Sequence, residues 1–197
     1  MPRPLTIAIY APSGAGKSQL AKQTAALLGE DAACRVAVDN FLVPRPPDMP
    51  RAAFDRLPLR YDWDLLAARL ALPLGTATSA PDVDFATFFR RADTGGPLFT
   101  VRPVMLLDAM EPYPGADARV LLDVPEAVRL DRIADRDIRW GTDVRERTGH
   151  LNTTWARVLG LDVVPDLMLD GERPLEENAA LLSAWIRSQR KKIEPVR

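Results

Sequence analysis

The stretch Leu5-Thr6-Ile7-Ala8-Ile9-Tyr10-Ala11-Pro12-Ser13-Gly14-Ala15-Gly16-Lys17-Ser18 decides how the rest of the chain is read. Its first six residues form a short apolar, β-branched run, the pattern of a buried strand. Small residues and two glycines follow, and there the backbone can turn tightly. From Lys17 to Leu28 apolar and polar residues alternate with helical spacing, and Gly29 stands where a helix would stop. A strand, a glycine-containing turn and a helix therefore follow in direct succession.

Outward from this unit the same alternation continues. Arg35–Val38, Val104–Leu107, Arg119–Leu122 and Asp166–Leu169 read as short strands. Asp62–Leu72, Pro125–Trp140 and Pro174–Lys192 read as helices. The last has proline in its first turn and basic residues at its end, as the helix dipole favours. Prolines between Phe41 and Leu59 exclude regular structure there. Between Pro73 and Pro103 two further strands, Val83–Phe89 and Leu98–Val101, form an excursion joined through the Gly95–Gly96 turn. Strands alternating with helices imply an α/β fold with a mostly parallel sheet covered on both faces. Acids close three of the strands, namely Asp39, Asp108 and Asp123. Ligands of open parallel sheets bind beyond those carboxyl ends.

Composition narrows the field further. The chain has 197 residues, a formal net charge of −1 and 47% apolar residues, which suits one α/β domain with a sizeable core. Charge is neither strongly basic nor strongly acidic, so nothing favours nucleic acid or membrane as partner. One cysteine, Cys34, allows no intrachain disulfide, and no long apolar segment stands at the start or elsewhere. The expectation is a soluble, cytoplasmic protein. The single histidine, His150, disfavours Ser-His-Asp chemistry and multi-histidine metal sites.

Ala11–Ser18 resembles the Walker A pattern G-x-x-x-x-G-K-[ST], with alanine in place of its first glycine. A tight loop of small residues points its N–H groups inward at phosphate oxygens, and the helix that follows adds its positive end. Ser13, Gly14, Ala15, Gly16, Lys17, Ser18 and Gln19 are the candidate nucleotide-binding residues. Lys17 would reach the β- and γ-phosphates, and the Ser18 hydroxyl would ligate Mg²⁺. The expected cofactors are ATP and Mg²⁺. With a Cβ at its first position, the loop needs Ala11 in a backbone conformation open to any L-residue.

Beyond the loop, the chain resembles the uridine kinase and phosphoribulokinase group of P-loop small-molecule kinases, over roughly Thr6 to Leu182. Val38-Asp39-Asn40-Phe41 is similar to the family's Asp-x-Phe after the second strand. Tyr61-Asp62-Trp63-Asp64 is similar to its Phe-Asp-x-Pro stretch, and Val83-Asp84-Phe85 to the Tyr-Asp-Phe of its substrate hairpin. Val104–Asp108 is similar to the strand ending in Glu-Gly. Arg129-Leu130-Asp131-Arg132, with Arg136-Asp137, is similar to the arginine-rich helix that leads into the lid.

The resemblance implies a P-loop NTPase three-layer α/β/α fold with a small substrate hairpin and a lid. It implies one domain over residues 1–197, with a substrate-side excursion at 73–103 and a lid region at 132–150. It implies transfer of the ATP γ-phosphoryl group to a hydroxyl of a small molecule. Asp39 then matches the general base that takes the acceptor proton and also stands near Mg²⁺; its plainer reading is a loop-capping aspartate. Asp108 matches the acid near Mg²⁺, one methylene shorter than the family's glutamate. Asp123 is the weaker candidate, because Asp123-Val124-Pro125 reads simply as a turn capping the next helix. Of the lid arginines Arg132, Arg136, Arg139, Arg145 and Arg147, the first two lie one helical turn apart and are the best placed to hold phosphoryl charge. A solvated helix face paired to Asp131, Asp135 and Asp137 would account for several of the others.

The acceptor side is less defined. Uridine kinases place a tyrosine before the hairpin Asp-Phe pair and a histidine three residues after it. Val83 and Phe88 stand at those positions and cannot read a pyrimidine edge through hydrogen bonds. Asp39, Phe41, Asp62, Asp84 and Arg90 remain as substrate-side candidates, which suits a nucleoside, a sugar or a related polyol or acid. A regulatory P-loop ATPase and a catalytically inactive nucleotide-binding module stay open as alternatives, as does homo-oligomerisation. Asp39 and the arginine-rich lid favour the kinase, since transfer needs an acceptor-side base and the exclusion of water.

Overall fold

The computed structural model describes residues 3–54, 56–140 and 154–193. Strand β1 (Leu5–Tyr10) leads through the small-residue loop into helix α1 (Lys17–Leu28), which ends at Gly29. Strand β2 (Ala33–Ala37) runs into a 3₁₀ turn over Val38–Phe41 that carries Asp39. Helices α2 (Arg51–Phe54) and α3 (Trp63–Leu70) follow, then strands β3 (Ala77–Asp84) and β4 (Phe89–Thr100). Strands β5 (Val104–Ala109) and β6 (Ala118–Asp123) precede helix α4 (Glu126–Trp140). A helix over 154–159, α5, strand β7 (Leu167–Asp170) and helix α6 (Leu175–Ile193) close the described chain.

The five strands β2-β5-β1-β6-β7 form one parallel sheet in that order. β1 is central, and every β5 residue is buried, as a strand covered on both faces requires. Alternate residues serve opposite layers. Ile7, Ile9, Val104, Leu106 and Val120 pack with Leu20 of α1 and Leu182 and Ile186 of α6. Val36, Met105 and Leu107 pack with Phe41, Leu66 and Leu70, and with Phe88 and Phe99 of the β3–β4 pair. Helices on one face and α3 with the hairpin on the other make three layers.

Two expectations are corrected. The proline-rich stretch after Phe41 holds one helical turn, α2, because Pro50 stands just before it, where a missing N–H costs nothing. The hairpin turns at 85–88, where Thr87 and Phe88 N–H groups donate to Asp84 O, and not at Gly95–Gly96. Those glycines lie within β4 opposite Pro81, where the register slips. A Cβ on Gly96 would stand 2.1 Å from Pro81 O, so the glycine serves close strand approach and not a turn. Among the described residues, no helix is long and apolar enough to cross a membrane.

Candidate active site

The loop after β1 delivers the phosphate cradle. Gly14 and Gly16 adopt φ of +82° and +97°, which only glycine takes without strain. Ala11, at the imperfect first position, is fully buried and is not among the residues of positive φ, so its Cβ is accommodated. No side chain caps α1 at Gly16, which leaves the helix N-terminus to an anion. The Lys17 ammonium arches over the loop and donates to Pro12 O at 3.0 Å. Ser18 and Gln19 are exposed on the first turn of α1, and Ser13 is half-buried.

Parallel register brings the acids to the same end. Asp108 lies level with Ile9 of β1 and Ala37 of β2, and Asp39 comes two residues past Ala37. The Ser18 hydroxyl donates to Asp108 Oδ2 at 2.6 Å. Arg35 grips the same carboxylate as a fork, Nε to Oδ1 at 2.8 Å and Nη2 to Oδ2 at 2.9 Å. Asp108 is only 5% exposed, so this pairing meets the cost of burying its charge.

The Asp39 side chain is exposed, yet the protein packed around it raises its carboxyl above the ordinary range. Asp108 adds to that rise, while Lys17, Tyr61 and Arg35 oppose it. The Tyr61 hydroxyl donates to Asp39 Oδ1 at 3.1 Å and accepts from Met110 N–H at 3.3 Å. Burial first, and the Asp39 charge second, hold that phenol well above its usual value, so it stays protonated.

The other expected residues have the following surroundings. Phe41 has no exposed surface and belongs to the core under Asp39; the expectation of a ligand contact there is corrected, because the 3₁₀ turn sends its ring inward. Asp62 caps α3 through Leu65 N–H at 3.1 Å and pairs with Arg90 at 2.9 Å. Arg90, mostly buried, also donates to Leu42 O and to Asp93, tying β4 to the segment after Asp39. Asp84 accepts from Ala86 N–H at 2.9 Å and pairs with Arg91; that N–H is the main reason its carboxyl sits below the ordinary range. Arg132 donates to Ala15 O and Gly171 O, both at 3.3 Å, joining α4 to the loop and to the turn before α6. Asp123 is exposed, and its carbonyl accepts from Gly171 N–H. The side chains of Arg136 and Arg139, and all of Arg145, Arg147 and His150, lie outside the described residues.

Arg35 and Tyr61 are the site residues that sequence reasoning missed. A charged residue in the middle of a short, otherwise apolar strand was a signal for Arg35, since such a residue needs a partner. Tyr61, where the uridine kinase pattern that the chain resembles has phenylalanine, carried the other signal in its hydroxyl.

The donors present fit Mg²⁺ and a triphosphate. Ser18 and Asp108 offer adjacent hard oxygens, and the uncapped helix and Lys17 offer anion-binding charge. Among the described residues no group of three or more His, Cys, Asp or Glu could hold a metal ion. A cation here would depend on phosphate and water for its remaining ligands, which is the habit of Mg²⁺.

No family model and no curated protein matches the chain. Solved structures do resemble it. A protein from Silicibacter sp. TM1040, described as a "putative fructose transport system kinase", shares 22% identity at a TM-score of 0.64, over 86% of this chain and 91% of its own. A gluconokinase from Sinorhizobium meliloti 1021 shares 19% identity at a TM-score of 0.51, over 96% of this chain and 99% of its own. At such identities the likeness is one of architecture, and with the cradle at Ala11–Ser18 it identifies the P-loop NTPase α/β/α fold.

Proposed function

We propose that the chain is an ATP- and Mg²⁺-dependent kinase that transfers the γ-phosphoryl group to a hydroxyl of a small molecule. One observation carries the reading: Lys17, the Ser18–Asp108 pair and Asp39 converge at the carboxyl ends of β1, β5 and β2. The loop N–H groups and Lys17 hold the triphosphate. Ser18 and Asp108 would hold Mg²⁺, with Asp39 as a further candidate ligand, and the cation would neutralise phosphate charge. Asp39 accepts the proton of the attacking hydroxyl; a carboxyl raised above its ordinary range is the better base near neutral pH. Arg132, fixed beside the loop through Ala15 O, and Arg136, one turn onward, are assigned to phosphoryl charge.

The similar folds described as a fructose transport system kinase and a gluconokinase support a sugar, polyol or sugar-acid acceptor over a nucleoside. The absence of hydrogen-bonding side chains at Val83 and Phe88 agrees with that preference. The test is a panel of fructose, gluconate, ribose, glycerol and uridine with ATP and Mg²⁺, scored for ADP above an acceptor-free control and for phosphorylated product by mass spectrometry. Lys17→Ala abolishes transfer. Asp39→Asn lowers it by about 10²–10⁴-fold while sparing ATP binding. ADP formed at one rate with or without every acceptor would overturn the kinase reading in favour of an ATPase.

A further inference from the structure

Asp39 can serve as a base only if one carboxylate oxygen keeps a fixed direction toward the acceptor, and the Tyr61 hydroxyl is bonded to that carboxylate. We infer that Tyr61 is the positioning residue that aims Asp39. This rests on the base assignment of the proposed kinase reading, which gives Asp39 its role.

The geometry determines where the phenol proton lies. Met110 N–H donates to the Tyr61 oxygen at 3.3 Å, so the hydroxyl is used there as an acceptor. Its single proton is then free to point to Asp39 Oδ1, 3.1 Å away. Oδ1 is engaged, and Oδ2 is left for the acceptor proton. Tyr61 thereby triangulates three elements: the Asp39 turn, the end of β5 through Met110, and the start of α3.

The ring itself has little freedom. Tyr61 is 6% exposed. Trp63 stacks on it with centroids 4.7 Å apart and planes 24° from parallel, and Tyr113 packs against Trp63 at 5.5 Å. The backbone is held as firmly. Tyr61 bridges Leu42 in antiparallel fashion, with Asp62 N–H donating to Phe41 O at 2.7 Å and Val43 N–H to Arg60 O at 2.8 Å. The segment bearing Tyr61 is thus bonded to the segment that follows Asp39, so hydroxyl and carboxylate are tied through the backbone as well as directly.

Tyr61→Phe removes only the hydroxyl and keeps the ring in its packing. Three measurements test the inference. On the acceptor from the panel that reacts fastest, kcat falls on the order of ten- to a hundredfold, with the ATP KM unchanged. In crystal structures, the Asp39 carboxylate of the wild type takes one orientation and that of Tyr61→Phe rotates or splits. Hydrogen exchange at the Met110 amide quickens in the variant. A wild-type kcat in Tyr61→Phe, or an Asp39 carboxylate that keeps its orientation there, overturns the inference. If the wild type phosphorylates no acceptor, the kinase reading fails by itself, and the Asp39 orientation still decides whether Tyr61 aims it.

Discussion

Replacing Gly14 by alanine, with Gly16→Ala as its companion, separates two costs that a phosphate loop can carry. Both glycines hold left-handed backbone, at φ of +82° and +97°. An L-residue there costs roughly 1–2 kcal/mol at either site. Their surroundings differ. A Cβ on Gly16 would meet nothing within 4 Å. A Cβ on Gly14 would stand 2.4 Å from the carbonyl oxygen of Arg129 and 2.8 Å from Cγ1 of Ile133. The oxygen belongs to the α4 backbone and cannot swing aside, so α4 must retreat by about an ångström to restore ordinary contact. Overpacking of that kind adds roughly 1–3 kcal/mol. The retreat also stretches the bonds from Arg132 to Ala15 O and Gly171 O, which are already 3.3 Å long. Gly14→Ala therefore costs roughly 2–5 kcal/mol and Gly16→Ala roughly 1–2. At about 2–4 °C per kcal/mol for a chain of this size, the melting temperature falls by about 4–20 °C in the first and about 2–8 °C in the second. The assay is thermal melting without nucleotide. Ile133→Ala does not restore Gly14→Ala, because the nearer obstacle is backbone. Equal melting of the two glycine variants, or a structure of Gly14→Ala with α4 unmoved, would show that the Gly14 contact with α4 carries no cost.

Asp39 should cost the folded protein stability while serving its chemistry. Its carboxyl is raised in the fold, so between the ordinary carboxylate range and that raised value the native state binds more protons than the unfolded chain. Stability is therefore lost as pH rises through that window, and Asp39→Asn melts above wild type at pH 7, with the gap closing as pH falls into the ordinary carboxylate range. A variant that melts below wild type at neutral pH would contradict this. Arg35→Met leaves the nearly buried Asp108 carboxylate without its fork and destabilises the nucleotide-free protein by about 3 kcal/mol, the low end for breaking a buried pair, since Arg35 is 22% exposed. Added MgCl₂ with ADP raises its melting temperature more than it raises that of wild type, because the cation takes over neutralisation of Asp108. Equal shifts in the two proteins would sink the idea.

Local sequence specifies the unit in which cause and effect are neighbours along the chain. β1, α1 and the Gly29 stop follow the apolar run at Leu5–Tyr10 and the helical spacing of Lys17–Leu28, residue for residue. The strands ending near Asp39, Asp108 and Asp123 were equally legible, because a buried parallel strand is written as a continuous apolar run. The helix read over Asp62–Leu72 needed only its own sequence neighbours and forms over Trp63–Leu70. Which of these residues meet is settled by packing and strand order. Gly95–Gly96 looked like a turn, yet strand pairing placed the turn at 85–88 and used the glycines against Pro81, since register is set by the whole ladder and not by local turn preference. Phe41 stands near Asp39 in sequence, yet packing takes its ring into the core. The Arg35 fork on Asp108 spans 73 positions, and the Tyr61 bond to Asp39 spans 22. No periodicity encodes such meetings. They follow from the order β2-β5-β1, which sets Ala37, Asp108 and Ile9 side by side at the end of the sheet where the loop at Ala11–Ser18 opens.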